Sequence, residues 1–292
     1  GFTVQEFDTL FSIVGDSLTI QGRGRKGSIT PPDILILLLH YFRRYPKYEV
    51  IRSVFHIPES SFETILNKYL PLLCQSLVEN FINKPKESCS IPYDQKFPNC
   101  GYIVDATVQE IYVPSRSFEL AKKFFSGKHY CYCLKSQVIV TLKGQAVHVV
   151  TSINGSVHDK KVFDDSLQDF NDSVIKFHQG EPSKIIGDKG YQDNNSDILI
   201  TPFKGSAGDL NHDQMKYNHE LGKVRIIVEN FFGRLKMRYD IMKYQYRGMH
   251  EKYEYYFLSC CALVNFEILM CDHPLREEDG EFYQKLCASI KE

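Results

Sequence analysis

The sequence of 292 residues lacks any run approaching the roughly 20 consecutive apolar residues of a membrane-spanning helix. It also lacks a secretory signal, internal repeats and low-complexity tracts. These absences exclude a membrane-spanning or secreted protein and predict a soluble protein inside the cell, with no membrane partner. Because the sequence begins with Gly1 instead of Met, we treat this residue as a trimmed or added terminus and leave it out of the fold prediction.

A disulfide pattern is missing as well. The nine cysteines are an odd number without a recurring pair spacing, which indicates a reducing compartment. Cys131 and Cys133 lie beside His129, but no second Cys/His pair at zinc-finger spacing follows them. We therefore predict that the cysteines are small buried apolar residues, and we do not predict a structural zinc site.

An excess of positive charge, which proteins that grip DNA phosphates usually have, is also absent. The net charge is −1, so any basic surface must be local. Residues 223–252 contain eight Lys or Arg and three acidic residues, a net charge of +5. A second basic stretch, residues 21–27, could lie in a DNA minor groove or be a solvated loop; its basic residues are Arg23, Arg25 and Lys26.

The apolar pattern divides the chain into a helical part and a strand-rich part. Residues 1–95 have helical periodicity, and strand-like alternation follows. With 43% hydrophobic residues, the chain can bury one large core or a core and a smaller module. We predict an α-helical N-terminal domain (1–95), an α/β domain with a mixed sheet (96–270) and an acidic C-terminal tail (271–292), with a linker near 83–99.

The helical part has the order of a helix-turn-helix. Three helices are predicted, and a short turn at His56–Pro58 precedes the third, where Ser60 and Glu63 have the spacing of a capping box. The first turn of the third helix contains no Arg that would bind a guanine edge. A role in packing or dimer formation is therefore an equal alternative to DNA reading.

Three acidic residues stand in distinct local contexts. Asp105 and Asp188 each follow a short β-branched apolar run, as expected at the end of a buried strand, and Glu229 lies in a helix predicted over about 214–238. Between them, a hairpin turning at Lys143-Gly144 and a helix from about residue 158 are predicted. Carboxylates from separate elements can converge on Mg²⁺ or Mn²⁺, and two such ions can clamp a phosphodiester. We predict a nuclease-type metal site.

Four motifs occur in an informative order: Val104 to Thr107 (Val-Asp-Ala-Thr), Gly155 to Phe163, Gly187 to Tyr191 (Gly-Asp-Lys-Gly-Tyr) and Arg225 to Lys236 (Arg-x-x-x-Glu-x-x-x-Gly-x-x-Lys). In this order the chain resembles the DDE transposases of the PIF/Harbinger group over about its whole length. The resemblance implies an RNase H-like fold for residues 96–270 and a helix-turn-helix before it. It also implies the catalytic and metal-binding triad Asp105, Asp188 and Glu229, and two Mg²⁺ ions, for which Mn²⁺ can substitute.

The resemblance further implies the substrate and setting. The substrate is double-stranded DNA at terminal inverted repeats and in the target, and the reactions are strand cleavage and strand transfer. A Myb-like DNA-binding partner, a homo-oligomer and action in the nucleus are also implied. The near-neutral net charge suits a protein that leaves part of its DNA binding to a partner.

Several other residues are candidates for the same site, each with a structural alternative. Arg225 and Lys236 are predicted to bind DNA phosphates, although Arg225 and Glu229 could instead be an ordinary surface ion pair on a helix. Lys135 is a further DNA-binding candidate or an exposed strand residue. His158 and Asp159 have a predicted auxiliary role, but Asp159 could simply complement a helix dipole.

Two other functions fit the same sequence. A domesticated relative of a transposase would keep the fold and act as a DNA- or protein-binding adaptor without catalysis; the intact triad argues against this function. Another metal-dependent nuclease on an RNase H-like fold, such as a resolvase or repair enzyme, is the second alternative. The Gly-Asp-Lys-Gly-Tyr motif and the helix-turn-helix order favour the transposase.

Overall fold

A computed structural model gives the positions of residues 1–19, 29–83, 94, 96–113, 117–173, 177–178, 181–192, 197–205, 208–271 and 273–289. No helix within these ranges combines the length and the apolarity that crossing a bilayer requires. The basic stretch that contains Arg23, Arg25 and Lys26 lies outside the described residues.

The N-terminal part is helical, as predicted. It comprises α1 (Val4–Val14), α2 (Pro31–Arg44), α3 (Tyr48–Phe55) and α4 (Glu59–Val78), with a 3-10 turn at Gly15–Leu18 and a π-helical turn at Glu79–Asn83. Helix α2 begins where Thr30 and Asp33 cap each other reciprocally, and prolines fill its first positions, where no intrahelical N–H bond is needed.

The start of α4 differs from the prediction. The turn at residues 56–58 is present, and His56 adopts a left-handed conformation. However, Pro58 precedes the helix and no side chain caps it, so the capping box predicted for Ser60 and Glu63 is wrong. Both residues lie inside the first turns of α4. The helix-turn-helix function of α3 and α4 stays a prediction.

The rest of the chain forms a mixed sheet with helices on both faces. In chain order the elements are β1 (Cys100–Glu110), α5 (Phe118–Phe124), β2 (Phe125–Ser126), β3 (Cys131–Thr141), β4 (Ala146–Asn154), α6 (Asp159–Ser173), β5 (Phe177–His178), β6 (Glu181–Pro182), β7 (Lys184–Ile186), a 3-10 turn (Lys189–Tyr191), β8 (Leu199–Ile200), α7 (His212–Arg238), α8 (Asp240–Lys243), α9 (His250–Met270) and α10 (Glu277–Ser289).

The main sheet has the strand order β4-β3-β1-β7-β8. Strand β3 is antiparallel to both of its neighbours, β4 and β1, whereas β1, β7 and β8 are mutually parallel. The predicted hairpin of β3 and β4 is confirmed. Gly144 lies in its turn with a positive φ of 78°, a conformation that tight turns between strands require and that glycine adopts easily. Short β2 pairs with the beginning of β3, and β5 and β6 form a separate two-stranded ribbon.

The two faces of the sheet pack against different layers. On one face, Ile103, Val138 and Ile186 belong to a large core shared with α7 and α9. On the other, Tyr102 and neighbouring apolar residues pack against α6, where the Tyr102 and Phe170 rings are 5.2 Å apart. Each strand of the centre is therefore apolar on both sides, and polar side chains that occur there need specific partners.

The large core continues across the domain boundary predicted at residue 95. Phe42 of α2 packs against Tyr256 of α9, with ring centroids 5.8 Å apart. Asn265 of α9 donates to the carbonyl oxygens of Phe81 and Ala146, both at 2.7 Å, and accepts from the amide of Ala146 at 2.9 Å. The N-terminal helices and the sheet thus share one apolar core through α9.

The structure also gives the positions of the described cysteines and of the acidic C-terminal segment. Five of the described cysteines, all free thiols, are buried, as predicted for small apolar residues: Cys74, Cys100, Cys133, Cys260 and Cys261. The segment predicted as an acidic tail contains helix α10, which packs against α7.

Candidate active site

The register between β1 and β7 brings two of the predicted acids together. Ile103 is paired with Ile186 in these parallel strands, and Asp105 and Asp188 each follow two residues later. Strand β7 ends at Ile186, whereas β1 continues to Glu110 because β3 still pairs with it. Asp105 therefore lies in the middle of its strand, and the prediction that it ends a strand is wrong.

Asp188 is held by the turn that follows it. Its Oδ1 accepts a hydrogen bond from the amide of Gly190 at 2.7 Å and caps the 3-10 turn. A Cβ at position 190 would lie 3.0 Å from that oxygen, so glycine leaves room for the contact. Tyr191 is buried below, and its hydroxyl donates to Gln137 Oε1 at 3.2 Å. The Gly-Asp-Lys-Gly-Tyr motif thus fixes the carboxylate and anchors it to the sheet.

Asp105 has an unusual protonation equilibrium. Burial raises its pKa to about 6, and the negative charge of Asp188 acts in the same direction. The Arg225 guanidinium and the amide of Ala106, which donates to Asp105 Oδ1 at 2.8 Å, oppose this rise. The buried Asp105 carboxyl thus lies near a second acidic side chain, an arrangement that favours a bound cation.

Arg225 stands between the first and third acids. Its Nη2 lies 3.4 Å from Asp105 Oδ2 and 4.0 Å from Glu229 Oε1. Its Nε is buried and has no hydrogen-bond partner among the described residues. Because Arg225 also reaches Asp105, it is more than the surface partner of Glu229. The other oxygen of Glu229, Oε2, accepts from Gln284 Nε2 at 2.9 Å.

Asp159 forms the opposite side of the site with two lysines. Lys135 Nζ is 3.0 Å from Asp159 Oδ1 and donates to the carbonyl of Val157 at 2.6 Å. Lys128 Nζ lies 3.4 Å from Asp159 Oδ2 and 4.0 Å from Asp188 Oδ2. Burial would raise the pKa of Asp159, but the two ammonium groups outweigh it and hold the pKa below its ordinary value. No sequence pattern singled out Lys128, which stands in a turn before β3.

Two of the lysines predicted to bind DNA are buried. Lys135 supports Asp159, as described, and is only 7% exposed in its side chain. Lys236 is 4% exposed, donates to the carbonyl of Val108 at 2.9 Å and lies over the Tyr283 ring. Neither side chain is therefore on a solvent-exposed surface, and each is held by contacts within the fold. His158, the other auxiliary candidate, is exposed at the start of α6.

The acidic side chains fit a divalent cation in part. Carboxylate oxygens are the ligands that Mg²⁺ and Mn²⁺ prefer, and Asp105 and Asp188 provide them at one place. Within the described residues, no three His, Cys, Asp or Glu side chains are close enough to hold a metal ion. The Arg225 guanidinium keeps Glu229 apart from Asp105. Asp105 and Asp188 are therefore the carboxylates that can offer oxygen ligands at one place, whereas Glu229 is in contact with Arg225 and Gln284.

Comparison with known proteins finds a family model and a relative that match this chain. The family model described as DDE superfamily endonuclease matches residues 104–265, which include Asp105, Asp188 and Glu229. The chain is similar to a protein of Microchaete diplosiphon named "Probable transposase for insertion sequence element IS702". The two are 28% identical over 274 residues, which cover 92% of this chain and 93% of the relative. No solved structure matches the chain.

Proposed function

Because the chain belongs to the DDE superfamily endonuclease family, we propose that it is a DNA transposase. In this proposal it cuts the ends of a mobile DNA element and joins them to target DNA. The alignment of Asp105 with Asp188 through the parallel register of β1 and β7 carries the proposal. The similarity to a probable transposase supports transposition as the purpose of the cleavage.

The topology supports an RNase H-like catalytic domain. Three antiparallel strands, β4, β3 and β1, are followed across the sheet by the two parallel strands β7 and β8, with helices on both faces. This arrangement makes the end of β7 meet the middle of β1, and Glu229 projects from α7 on the face that carries Asp105. Three acids from three elements can then face one DNA strand.

Members of this superfamily typically use divalent metal ions, and Asp105 with Asp188 would hold such an ion here, with Glu229 as a further ligand. Bound Mg²⁺ would supply Lewis-acid stabilisation of the attacking and leaving oxygens of the phosphodiester. Asp105 contributes an ionised carboxylate at neutral pH, since its pKa is about 6. Asp188 is kept in place by the amide of Gly190.

Two cationic side chains are suited to the phosphate of the DNA strand. The buried Nε of Arg225 is a donor without a described partner, and a phosphate oxygen would satisfy it. Lys128 is 58% exposed in its side chain and lies within reach of Asp159 and Asp188. Both would leave their carboxylate neighbours for the phosphate when cation and DNA bind.

The narrower features implied by the sequence resemblance stay predictions. These are the PIF/Harbinger subtype, a Myb-like partner, a homo-oligomer and action in the nucleus. The DNA-binding stretch with Arg23, Arg25 and Lys26 is a proposal of the same kind. The similarity to the transposase of an insertion sequence does not distinguish among subtypes.

Cleavage of a plasmid tests the proposed function. The substrate is a supercoiled plasmid that carries the DNA flanking this coding sequence, incubated with Mg²⁺ or Mn²⁺. We expect nicking by the wild-type protein and its loss in Asp188→Asn, which keeps the shape of the side chain but removes the charge that holds a metal ion.

The matched control is Asp165→Asn, at an exposed position of α6. It should cleave like the wild type. Melting of both variants should remain cooperative, since Asp188 is partly exposed and its substitution removes a like charge beside Asp105. Cleavage that persists in Asp188→Asn, or that fails in the wild type under both metals, would reject the proposed catalysis in favour of an adaptor.

A further inference from the structure

The carboxylate of Glu229 is contacted by a helix that lies outside the family match. Helix α10 begins at Glu277, whereas the matched residues end at 265. Its Gln284 donates through Nε2 to Glu229 Oε2 at 2.9 Å. On the same helix, the Tyr283 hydroxyl reaches Thr107 Oγ1 of β1 at 3.4 Å, two residues beyond Asp105. Helix α10 thus borders both α7 and β1 next to the acids.

A buried ion pair fixes this helix against α7. Arg234 and Asp279 are 2.9 Å apart, and their side chains are only 5% and 6% exposed. Arg234 also donates to the carbonyl oxygens of His273 and Pro274, which precede the helix. Separating such a pair would leave a buried charge without a partner, which is strongly destabilising. Helix α10 is therefore a permanent part of the fold and not a loosely attached tail.

The contact between α7 and α10 also explains two residues of the motif that runs from Arg225 to Lys236. A Cβ at Gly233 would overlap the carbonyl of Asp279, and one at Gly280 would overlap Asn230 Oδ1. Two glycines therefore let α7 and α10 approach more closely than larger residues permit. Lys236 of the motif lies over the ring of Tyr283. Beyond Glu229, the motif residues Gly233 and Lys236 both contact α10.

We propose that α10 belongs to the active site and that Gln284 is a positioning residue for Glu229; this inference rests on the proposed function. Gln284 binds Oε2, so Oε1 is left on the side of Arg225 and Asp105. A Glu side chain has several rotatable bonds, and one fixed oxygen restricts where the other can be. Because the Gln284 amide is neutral, it orients Glu229 without compensating its negative charge.

Gln284 thus contacts a residue that would bind the metal ion, and not the ion itself. Residues that hydrogen-bond to a metal-ligating side chain hold it in its binding orientation, and their removal typically lowers metal affinity or activity by about 10- to 100-fold. Gln284 is exposed, so its substitution leaves the buried anchor of α10 intact. Effects on metal binding and on folding can therefore be separated.

The test compares Gln284→Met with the wild type. Methionine keeps the length of the side chain but cannot donate a hydrogen bond. Binding of Mn²⁺ to the protein without DNA is measured by calorimetry, and plasmid nicking is measured over a range of Mn²⁺ concentrations. We expect the dissociation constant for Mn²⁺ and the concentration for half-maximal nicking to rise about 10-fold together, with an unchanged melting midpoint without metal.

Lys285→Met is the matched control, since it puts the same residue at the next exposed position of α10. It removes a positive charge, so any long-range effect would tighten Mn²⁺ binding, opposite to the effect expected for Gln284→Met.

The outcomes separate this inference from the proposed function. Wild-type protein that neither binds Mn²⁺ nor nicks DNA would reject the proposed function. If the wild type does both and Gln284→Met binds Mn²⁺ equally well or more tightly, only the positioning role is overturned. Tighter binding would mean that Gln284 restrains Glu229 away from the metal site.

Discussion

The protonation of Asp105 leads to a quantitative prediction for the metal-free protein. Its pKa is about 6 in the fold, against an ordinary value of 3.8. Because the pKa is raised, the folded state favours the neutral carboxyl, and the wild type loses stability as the pH rises from the ordinary value through about 6. At about 1.4 kcal/mol per pK unit, this loss approaches 3 kcal/mol. Asparagine cannot ionise, so Asp105→Asn avoids the loss.

The measurement is urea unfolding of both proteins at pH 4, 5, 6 and 7 in the presence of a chelator. The free energy of unfolding of Asp105→Asn minus that of the wild type should increase by up to about 3 kcal/mol from pH 4 to pH 7. At pH 4 the folded carboxyl is largely neutral, so the difference there reports mainly the changed contacts with Arg225 and Ala106.

The Asp165→Asn control removes an exposed carboxylate instead. Its difference from the wild type should stay within about 0.5 kcal/mol over the same range, as is usual for surface substitutions. A flat difference for Asp105→Asn, or one that falls as the pH rises, would refute the reasoning that burial and Asp188 disfavour the ionised carboxyl.

Two further predictions concern the cationic side chains. Arg225→Gln should weaken DNA binding irrespective of sequence and reduce the slope of log affinity against log salt by about one, as measured by fluorescence anisotropy; an unchanged slope would assign Arg225 to orienting the acids alone. Asp159→Asn should lower the free energy of unfolding by about 3 kcal/mol, because it leaves the buried ammonium of Lys135 without its carboxylate partner. Wild-type stability of Asp159→Asn in urea would contradict the buried pairing.

Local sequence patterns predicted the parts of the fold whose causes are local. The hairpin of β3 and β4 follows from alternation and from Gly144, and the long helix that bears Glu229 follows from its apolar spacing. The extent of β1 was not predicted, because Thr107 and Gln109 are polar and yet buried. Gln109 donates to the carbonyl of Tyr244, a partner 135 positions away that no local pattern reveals.

The same limit applies to charged residues near the site. Lys236 was predicted to bind DNA phosphates and Asp279 falls in the segment predicted as an acidic tail, yet both are 4% exposed. Each is buried because a distant partner satisfies it: the carbonyl of Val108 for Lys236 and the guanidinium of Arg234 for Asp279. The resemblance singled out Asp105, Asp188 and Glu229, whereas the contacts of Lys128 and Gln284 required coordinates.

The bonds of Asn265 also have a consequence for how the protein is made. This residue is 184 positions after Phe81, to whose carbonyl it donates. During synthesis, the N-terminal helices emerge long before α9, the helix that completes their apolar core. The apolar faces of these helices stay uncovered until α9 is available, and contacts between residues so far apart in the chain slow folding. The nascent chain would then complete the core beneath its acidic residues only after α9 has been synthesised.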